Sequence, residues 1–265
     1  MTDEVRSDTT ADSGTALITG ASAGIGAALA REFAAAGHDV VLVARRETRL
    51  RSLADELDAE GVRATPIVMD LDRAGAAMAL HEDVTERGLD VDILVNNVGV
   101  GTYGPFAESD LDAERTQLRL NVVLPVELTR LFLDEFDDGG RILNVGSVAG
   151  FQPGPTLSTY YASKAYVNSF SAAIAEELRG QVDVTVVCPG PVETEFTERA
   201  GMGDSAVGSM TSNTPEAVAE AAYSGLMAGE TVVIPSKAMR AVELLGRVMP
   251  RSVVRRVAGW VNSGR

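Results

Sequence analysis

Short apolar runs rich in valine and isoleucine alternate along the chain with longer stretches in which apolar and charged residues recur at helical spacing. The runs predict seven strands, at Thr15–Thr19, Val40–Val43, Ala64–Val68, Ile93–Val95, Arg141–Val145, Val182–Cys188 and Thr231–Ile234. The longer stretches predict helices at Gly24–Ala36, Glu47–Glu60, Ala74–Glu86, Leu111–Phe136, Tyr160–Leu178 and Pro215–Ala228. Apolar strands joined by helices are typical of a parallel sheet built from βαβ units. The sequence therefore predicts an α/β fold, a single-domain doubly wound parallel sheet of about seven strands with helices on both faces.

Three segments fall outside this alternation. Residues 1–13 are polar and acidic, which predicts a disordered tail rather than a signal peptide. Residues 191–214 are rich in glycine, serine, threonine and methionine without a clear period, which favours a mobile substrate loop. Residues 236–265 predict a basic amphipathic C-terminal extension of the domain at 14–235. No apolar run approaches the roughly 18 residues that a membrane-spanning helix requires.

The charge distribution argues against one class of partner. The 265 residues carry a net charge of −15, and such a field repels nucleic acid. Lys164 and Lys237 are the only lysines in the sequence. An acidic composition with so few lysines is typical of proteins adapted to high salt, but also of ordinary acidic, arginine-rich proteins. The segment 236–265 has the opposite charge. Its seven cations and one anion, Glu243, give it a net charge of +6, so the remainder of the chain carries −21. Three interpretations of this segment stay open: packing over the pocket or between subunits, a solvated helix, and a weak contact with a membrane surface.

Cysteine and histidine are too few for a disulfide framework or a metal centre. Cys188 is the only cysteine, and neither His38 nor His81 has a second ligand nearby in sequence. We expect both histidines at the surface and no bound metal. Because the sequence also indicates neither a signal peptide nor a disulfide, we expect a cytoplasmic protein.

A glycine-rich turn joins the first predicted strand to the helix that follows it. The segment Thr19–Gly26 reads TGASAGIG. Glycines let the backbone approach a pyrophosphate, and a helix N-terminus offers unpaired N–H groups and a favourable dipole. The spacing departs from the G-x-G-x-x-G of the usual dinucleotide fingerprint. The second strand ends in Ala44, Arg45 and Arg46, where an NAD site has an acidic residue. Since arginine suits a 2′-phosphate, this end of the second strand predicts that the nucleotide is NADP.

Three side chains predicted to lie near one edge of the sheet are suited to acid–base chemistry. Tyr160 and Lys164 are four residues apart, which puts them on one face of a helix, and Ser147 follows a predicted strand. We expect the ammonium to lower the pKa of the tyrosine phenol, and the serine hydroxyl to bind a substrate carbonyl oxygen. Asn121 lies inside a predicted helix, an unfavourable position that predicts a bound water or a kink.

Four motifs, in this order, resemble those of the short-chain dehydrogenase/reductase family. They are T-G-x-x-x-G-I-G at Thr19–Gly26, N-N-x-G at Asn96–Gly99, the set Ser147, Tyr160 and Lys164, and P-G-x-x-x-T at Pro189–Thr194. Val98 departs from the alanine that is usual in the family. The resemblance covers nearly the whole chain, from Ala16 to Ile234.

The resemblance implies a Rossmann-type fold and a set of functional residues. The catalytic tetrad would be Asn121, Ser147, Tyr160 and Lys164, with Asn121 holding a water that relays protons. Asp70 would bind the adenine amino group, and Arg45 would be the main ligand of the 2′-phosphate. The residues expected to bind NADP(H) are Gly20, Ser22, Gly24, Ile25, Gly26, Arg45, Arg46, Asp70, Leu71, Asn97, Gly99, Tyr160, Lys164, Pro189, Gly190, Val192 and Thr194.

The expected function is hydride transfer between NADPH and a carbonyl or alcohol substrate, with Tyr160 donating the proton. Apolar residues of the predicted substrate loop suggest a moderately apolar substrate; they are Phe196, Met202, Ala206, Val207 and Met210. The strand end at Leu42–Arg46 and the basic C-terminal segment resemble a branch of the family that includes hydroxysteroid and 3-ketoacyl reductases, which implies a ketone, a 3-oxoacyl compound or a steroid-like molecule. Two alternatives stay open, oxidation as the physiological direction and a non-catalytic NADP(H)-binding sensor or scaffold. The resemblance also implies a homodimer or homotetramer built on the helices predicted at 111–136 and 160–178.

Overall fold

The computed structural model describes residues 13–136, 139–202 and 213–263, and within them seven parallel strands form one sheet. The strands are β1 (Thr15–Thr19), β2 (Asp39–Ala44), β3 (Ala64–Val68), β4 (Ile93–Asn96), β5 (Gly140–Val145), β6 (Val182–Val187) and β7 (Val232–Val233). Their order across the sheet is β3-β2-β1-β4-β5-β6-β7. Each strand runs parallel to its neighbours.

Helices cover both faces of this sheet. They are α1 (Gly24–Ala35), α2 (Glu47–Ala59), α3 (Ala76–Glu86), α4 (Leu111–Leu118), α5 (Leu124–Leu133), α6 (Ser158–Glu177), α7 (Glu195–Arg199), α8 (Pro215–Met227), α9 (Lys237–Val248) and α10 (Arg251–Ser263). Buried residues of α1, α2 and α8 share one hydrophobic core, and residues of α3, α5 and α6 contribute to the core on the opposite face. The predicted α/β fold with a doubly wound parallel sheet is confirmed.

Side chains that alternate along each strand supply both cores. In β1, Ala16 and Ile18 are buried in the core shared with α1, whereas Leu17 is buried in the opposite core. Successive residues of a strand point to opposite faces, so a strand covered on both sides must be apolar at consecutive positions. The continuous apolar runs in the sequence have this cause.

The strand order reverses at β1, which lies between β2 and β4. In an open parallel sheet such a reversal leaves a crevice beyond the carboxyl ends of the strands, because the connections leave toward opposite faces. The glycine-rich turn follows β1 and the Asn97 loop follows β4, so both border this crevice. Ser147 lies beyond the end of β5, at the same edge of the sheet.

The structure corrects the bounds of two predicted helices. The helix predicted at Leu111–Phe136 is interrupted by a π-helical turn, Arg119–Val123, and ends at Leu133. This turn contains Asn121 and confirms the irregularity predicted there. The helix predicted to begin at Tyr160 begins two residues earlier, at Ser158.

The loop predicted at 191–214 is partly helical, because α7 lies within it. Its residues 203–212, which include Ala206, Val207 and Met210, are outside the described residues. The same is true of residues 1–12 of the predicted tail. The C-terminal extension forms α9 and α10, and in the part of the chain that the structure describes, no helix is long and apolar enough to cross a membrane.

The prediction of a surface position is wrong for His38, which is only 2% exposed. Its Nδ1 accepts a hydrogen bond of 3.2 Å from the Gly14 amide, and its Nε2 lies 3.1 Å from the Tyr223 hydroxyl. The ring of Phe33 packs edge-on against it at 5.5 Å. A histidine whose two nitrogens are both bonded can be buried without an unsatisfied polar group. Across residues 13–136, 139–202 and 213–263, no group of three or more His, Cys, Asp or Glu side chains is arranged to hold a metal.

Candidate active site

The glycine-rich turn is held in a shape that side chains would not allow. Gly20 and Gly24 have φ angles of +70° and +56°, in the left-handed region that favours glycine. A Cβ at Gly26 would lie 2.4 Å from the Gly20 carbonyl oxygen, so α1 packs directly against the turn. The residue before α1, Ala23, has no side-chain bond to the helix. The first N–H groups of α1 are thus left for a ligand at the helix N-terminus.

Thr19 joins the ends of β1 and β4. Its hydroxyl donates to the Val95 carbonyl at 3.1 Å and accepts from the amides of Asn97 and Val98 at 3.0 and 3.2 Å. The Asn97 side-chain amide donates in turn to the Thr19 carbonyl at 2.8 Å. These bonds fix the loop after β4 against the turn after β1, so that the two form one rigid wall of the crevice.

The two arginines at the end of β2 have different surroundings. The Arg45 side chain is exposed, and its Nη1 lies 3.7 Å from the Asp70 carboxylate. Arg46 donates from Nε to the Ser22 hydroxyl at 3.1 Å and from Nη1 to the Glu195 carboxylate at 2.7 Å. Sequence reasoning missed Glu195, which belongs to α7.

Arginines surround the Glu195 carboxylate. Besides Arg46, it accepts hydrogen bonds from Arg49 of α2 and Arg199 of α7. Hydrogen bonds from Arg49 and Arg46 lower the pKa of Glu195 to about 2. The carboxylate is therefore an anion at any physiological pH, and it connects α7 to the arginines where a 2′-phosphate is expected.

Ser147, Tyr160 and Lys164 meet at the inner end of the crevice. The Tyr160 phenol hydrogen-bonds the Ser147 side chain. The Lys164 Nζ lies 6.0 Å from the centre of the Tyr160 ring and donates to the Val145 carbonyl at 2.7 Å. Asn168, which sequence reasoning also missed, holds the backbone of Ser147 by donating to its carbonyl at 2.9 Å.

Burial shifts the pKa values of this group. It raises the pKa of Tyr160 to about 12, although the hydrogen bond from Ser147 acts in the opposite direction. It lowers the pKa of Lys164 to about 8. The expectation of a lowered phenol pKa is wrong in this structure, because desolvation of the phenol is the largest effect and raises its pKa. The Lys164 ammonium donates its hydrogen bond to the Val145 carbonyl.

Asn121 bridges the π-helical turn to the loop after β4. Its Oδ1 accepts from the Val100 amide at 2.9 Å, and its Nδ2 donates to the Val100 carbonyl at 2.9 Å and to the Ser163 hydroxyl at 3.0 Å. The side chain thus pairs with the backbone as a neighbouring strand would. Asn121 and Lys164 also border an internal cavity of about 10 Å³, and a polar cavity of this size can hold one water.

The far wall of the crevice comes from the segment after β6. Val192 pairs with Asn213, and the Thr194 hydroxyl accepts from the Phe196 amide at the start of α7. The Phe196 ring packs at 5.2 Å from the ring of Tyr160. Apolar side chains of this segment therefore lie next to the acid–base group.

These walls enclose a cleft of about 570 Å³, a size typical of ligand pockets. The predicted site residues that line it are Gly20, Ser22, Gly24, Ile25, Arg45, Arg46, Asp70, Leu71, Asn97, Gly99, Ser147, Tyr160, Lys164, Pro189, Gly190, Val192 and Thr194. Gly26 and Asn121 are not among the lining residues. Gly26 packs beneath the turn, and Asn121 supports the loop behind the wall.

Comparison with known proteins bears on this site. The family model for short chain dehydrogenases matches residues 14–204. A short chain dehydrogenase of Pseudocercospora fijiensis is 38% identical over 187 residues, which are 69% of this chain but only 60% of that protein. A solved short-chain dehydrogenase of Sphingobium yanoikuyae in complex with NADPH is 35% identical, with a TM-score of 0.78 over 88% of this chain and 93% of that one.

A second solved structure carries the other coenzyme. The short chain dehydrogenase/reductase of Burkholderia phymatum in complex with NAD is 25% identical, with a TM-score of 0.79 over 88% and 92% of the two chains. The family match covers most of the chain, and the sheet, the glycine-rich turn and the cleft agree with it. The chain therefore belongs to the short-chain dehydrogenase/reductase family, oxidoreductases that act on CH–OH and C=O groups.

Proposed function

We propose that the chain is an NADP(H)-dependent reductase of a moderately apolar carbonyl compound. The observation that carries the proposal is that one cleft has two chemically distinct ends. Ser147, Tyr160 and Lys164 lie at the inner end, and Arg45 and Arg46 lie at the other. A dinucleotide with a 2′-phosphate is long enough and anionic enough to span such a site.

The residues of the cleft fit this cofactor. The turn at Gly20–Gly24 and the uncapped start of α1 suit a pyrophosphate. Arg45 and Arg46 suit the 2′-phosphate, and Asp70 with Leu71 borders the expected position of the adenine. NADPH, when bound, supplies the hydride.

The chain's own residues would then carry the proton chemistry. Ser147 donates a hydrogen bond to the substrate carbonyl oxygen, and Tyr160 donates the proton to that oxygen as negative charge develops on it. The phenol, whose pKa burial raises to about 12, is protonated at neutral pH and has a proton to donate. Lys164 contributes a positive charge beside the phenol, and a water between it and Asn121 would pass protons onward.

The substrate end of the cleft favours apolar molecules. Its walls include Leu157, Tyr161, Phe196 and Met202, and Phe196 packs on the reacting tyrosine. A ketone, a 3-oxoacyl compound or a steroid-like molecule meets these requirements.

The organisation of the whole protein follows from the same elements. We place the catalytic domain at 14–235, with 236–265 as an extension attached to the cleft wall. Exposed apolar side chains on α4, the π-helical turn and α6 support a homodimer or homotetramer formed through these helices; they are Leu111, Leu118, Val123 and Tyr166.

The test compares two neighbouring phenols. NADPH oxidation is followed by absorbance against a panel of ketones, aldehydes, quinones and 3-oxoacyl thioesters, at low and multimolar salt. Tyr160→Phe should bind NADPH as the wild type does and lose turnover by about 10²-fold or more. Tyr161→Phe is the matched control, because its hydroxyl bonds Asn262 rather than Ser147, and it should keep turnover within several-fold. Near-normal activity in Tyr160→Phe would overturn the proposal, and NADPH binding with no turnover across the panel would favour a nucleotide-binding sensor.

A further inference from the structure

Helix α9, in the C-terminal extension, has its only glutamate on the inner side and several of its apolar side chains on the outer side. Glu243 is turned into the protein and is 7% exposed, while Leu245 and Val248 are 60% and 80% exposed. Val242, on the same side as Leu245, is also exposed. A surface helix of a soluble protein normally buries its apolar side and exposes its charged side. A helix with the opposite arrangement needs a partner for its outer face.

The next helix, α10, also exposes apolar side chains and is attached to the cleft. Asn262 and Ala258 are buried, and Val257 and Trp260 are exposed. The Asn262 carbonyl accepts from the Tyr103 hydroxyl at 2.8 Å, and its Nδ2 donates to the Pro155 carbonyl at 2.9 Å. These bonds hold α10 in the orientation that leaves Val257 and Trp260 exposed.

Cations border the exposed apolar side chains of both helices. Lys237, Arg240, Arg251, Arg255 and Arg256 are all exposed. The segment 236–265 carries +6, whereas the rest of the chain carries −21. An anionic surface would attract these two helices and repel the remainder of the protein, which fixes one orientation of approach.

We propose that α9 and α10 form a docking face for an anionic lipid bilayer, with their exposed apolar side chains inserted among the lipid headgroups and their arginines against lipid phosphates. The apolar members of this docking face are Val242, Leu244, Leu245, Val248, Val257 and Trp260. Amphipathic helices with arginine and a tryptophan bind at such interfaces through buried apolar area and attraction to anionic lipids. A symmetric contact with a second copy fits less well, because it would bring two +6 segments together.

The docking face lies next to the substrate end of the cleft. The Tyr161 hydroxyl, at the cleft wall, donates to Asn262 Oδ1 at 3.2 Å, and α9 contacts the short helix Val148–Phe151 that follows Ser147. If the proposed reductase function holds, a bilayer at this face would deliver substrates dissolved in lipid. Docking itself does not depend on catalysis, so Tyr160→Phe should bind vesicles as the wild type does. Vesicle binding therefore tests the docking face, whereas turnover of the same variant tests the reductase function.

The experiment measures co-sedimentation of the full chain with phosphatidylcholine vesicles, with and without phosphatidylglycerol. We expect binding only when phosphatidylglycerol is present, and weaker binding as sodium chloride is raised. The double variant Leu245→Ser/Val248→Ser should reduce partitioning about tenfold or more. Arg255→Glu/Arg256→Glu should reduce it similarly without changing an apolar residue. Met78→Ser is the control, because Met78 is a 48% exposed apolar residue on α3 and should leave binding unchanged.

Two further measurements complete the test. Circular dichroism establishes that each variant folds, and if the serine variant does not, the arginine variant decides the outcome. Light scattering after size exclusion gives the molar mass, which the variants should not change. The proposal is overturned if the wild type does not bind anionic vesicles at any salt concentration, or if all variants bind equally. It is also overturned if Leu245→Ser/Val248→Ser lowers the molar mass, since the face would then be a contact between copies of the chain.

Discussion

Lys164→Met should change how the stability of the cofactor-free protein depends on pH. Burial lowers the pKa of Lys164 from its ordinary 10.5 to about 8. Within residues 13–136, 139–202 and 213–263, no carboxylate forms an ion pair with its ammonium, whose hydrogen bond goes to the Val145 carbonyl. The charged form is therefore less stable in the folded state than in the unfolded chain.

The magnitude follows from the displaced pKa. A difference of about 2.5 pKa units, at about 1.4 kcal/mol per unit, corresponds to about 3 kcal/mol. Below pH 8, Lys164 is protonated in both the folded and the unfolded state, and the cost of burying its charge lowers the free energy of unfolding by this full amount. Between pH 8 and 10.5 the folded protein binds fewer protons than the unfolded chain, so stability rises with pH. Above 10.5 both states are neutral and the penalty is absent.

The assay is urea unfolding of the cofactor-free wild type and of Lys164→Met, at constant salt, near pH 7 and near pH 10. The free energy of unfolding of the wild type, relative to the variant, should increase by about 2 to 3 kcal/mol between the two pH values. Burial also raises the pKa values of Tyr160 and Cys188 to about 12, but both groups are present in both proteins and cancel to first order in the difference. A difference that does not change with pH would refute the reasoning, because Lys164 would then be as well solvated as in the unfolded chain. The variant should also lose turnover.

Three further substitutions test the cofactor end of the cleft. Arg46→Ala should lower kcat/KM for NADPH about 10- to 100-fold more than for NADH, because it removes charge-assisted hydrogen bonds to the 2′-phosphate. Arg51→Ala, on the exposed side of α2, is its control, and equal losses with both coenzymes would contradict the assignment. Glu195→Gln should tighten NADPH binding in a fluorescence titration, because a carboxylate no longer competes for the arginines that surround it, and weaker binding would mean that this ion pair organises the site. Gly26→Ala should destabilise the protein by about 1–3 kcal/mol in thermal melts, since its Cβ would meet the preceding turn. Gly246→Ala, where a Cβ meets nothing within 4 Å, should instead leave stability unchanged or raise it, and comparable losses in both variants would argue against crowding as the cause.

The parts of the fold that could be predicted from the sequence depend on local rules. Strands covered on both faces are continuous apolar runs, so their positions were predictable to within one or two residues. The turn after β1 was predictable because φ angles such as the +70° of Gly20 strongly favour glycine. The spacing of Tyr160 and Lys164 fixes their common helix face whatever the rest of the chain does.

Features that depend on distant residues were not predictable. Glu195 meets Arg46 across 149 positions in sequence, and His38 meets Tyr223 across 185. No local pattern indicates such pairs. The pKa of Tyr160 belongs to the same group, because its direction depends mainly on how deeply the surrounding segments enclose the phenol.

Positions where this chain breaks a local rule lie in the regions to which we assign a function. Lys164 is 6% exposed without a carboxylate partner among the described residues, and Asn121 interrupts a helix to bond the loop behind the cleft. In α9 the glutamate is inside and the leucines are outside. The buried ammonium of Lys164 and the exposed leucines of α9 each make the isolated folded chain less stable than an ordinary residue would, so we expect a compensating partner for each. For Lys164 the partner we propose is the bound cofactor and its substrate. For the exposed leucines of α9, the partner we propose is a lipid bilayer with anionic headgroups. We therefore propose that the cleft and the docking face act together, so that the enzyme reduces molecules held in a bilayer.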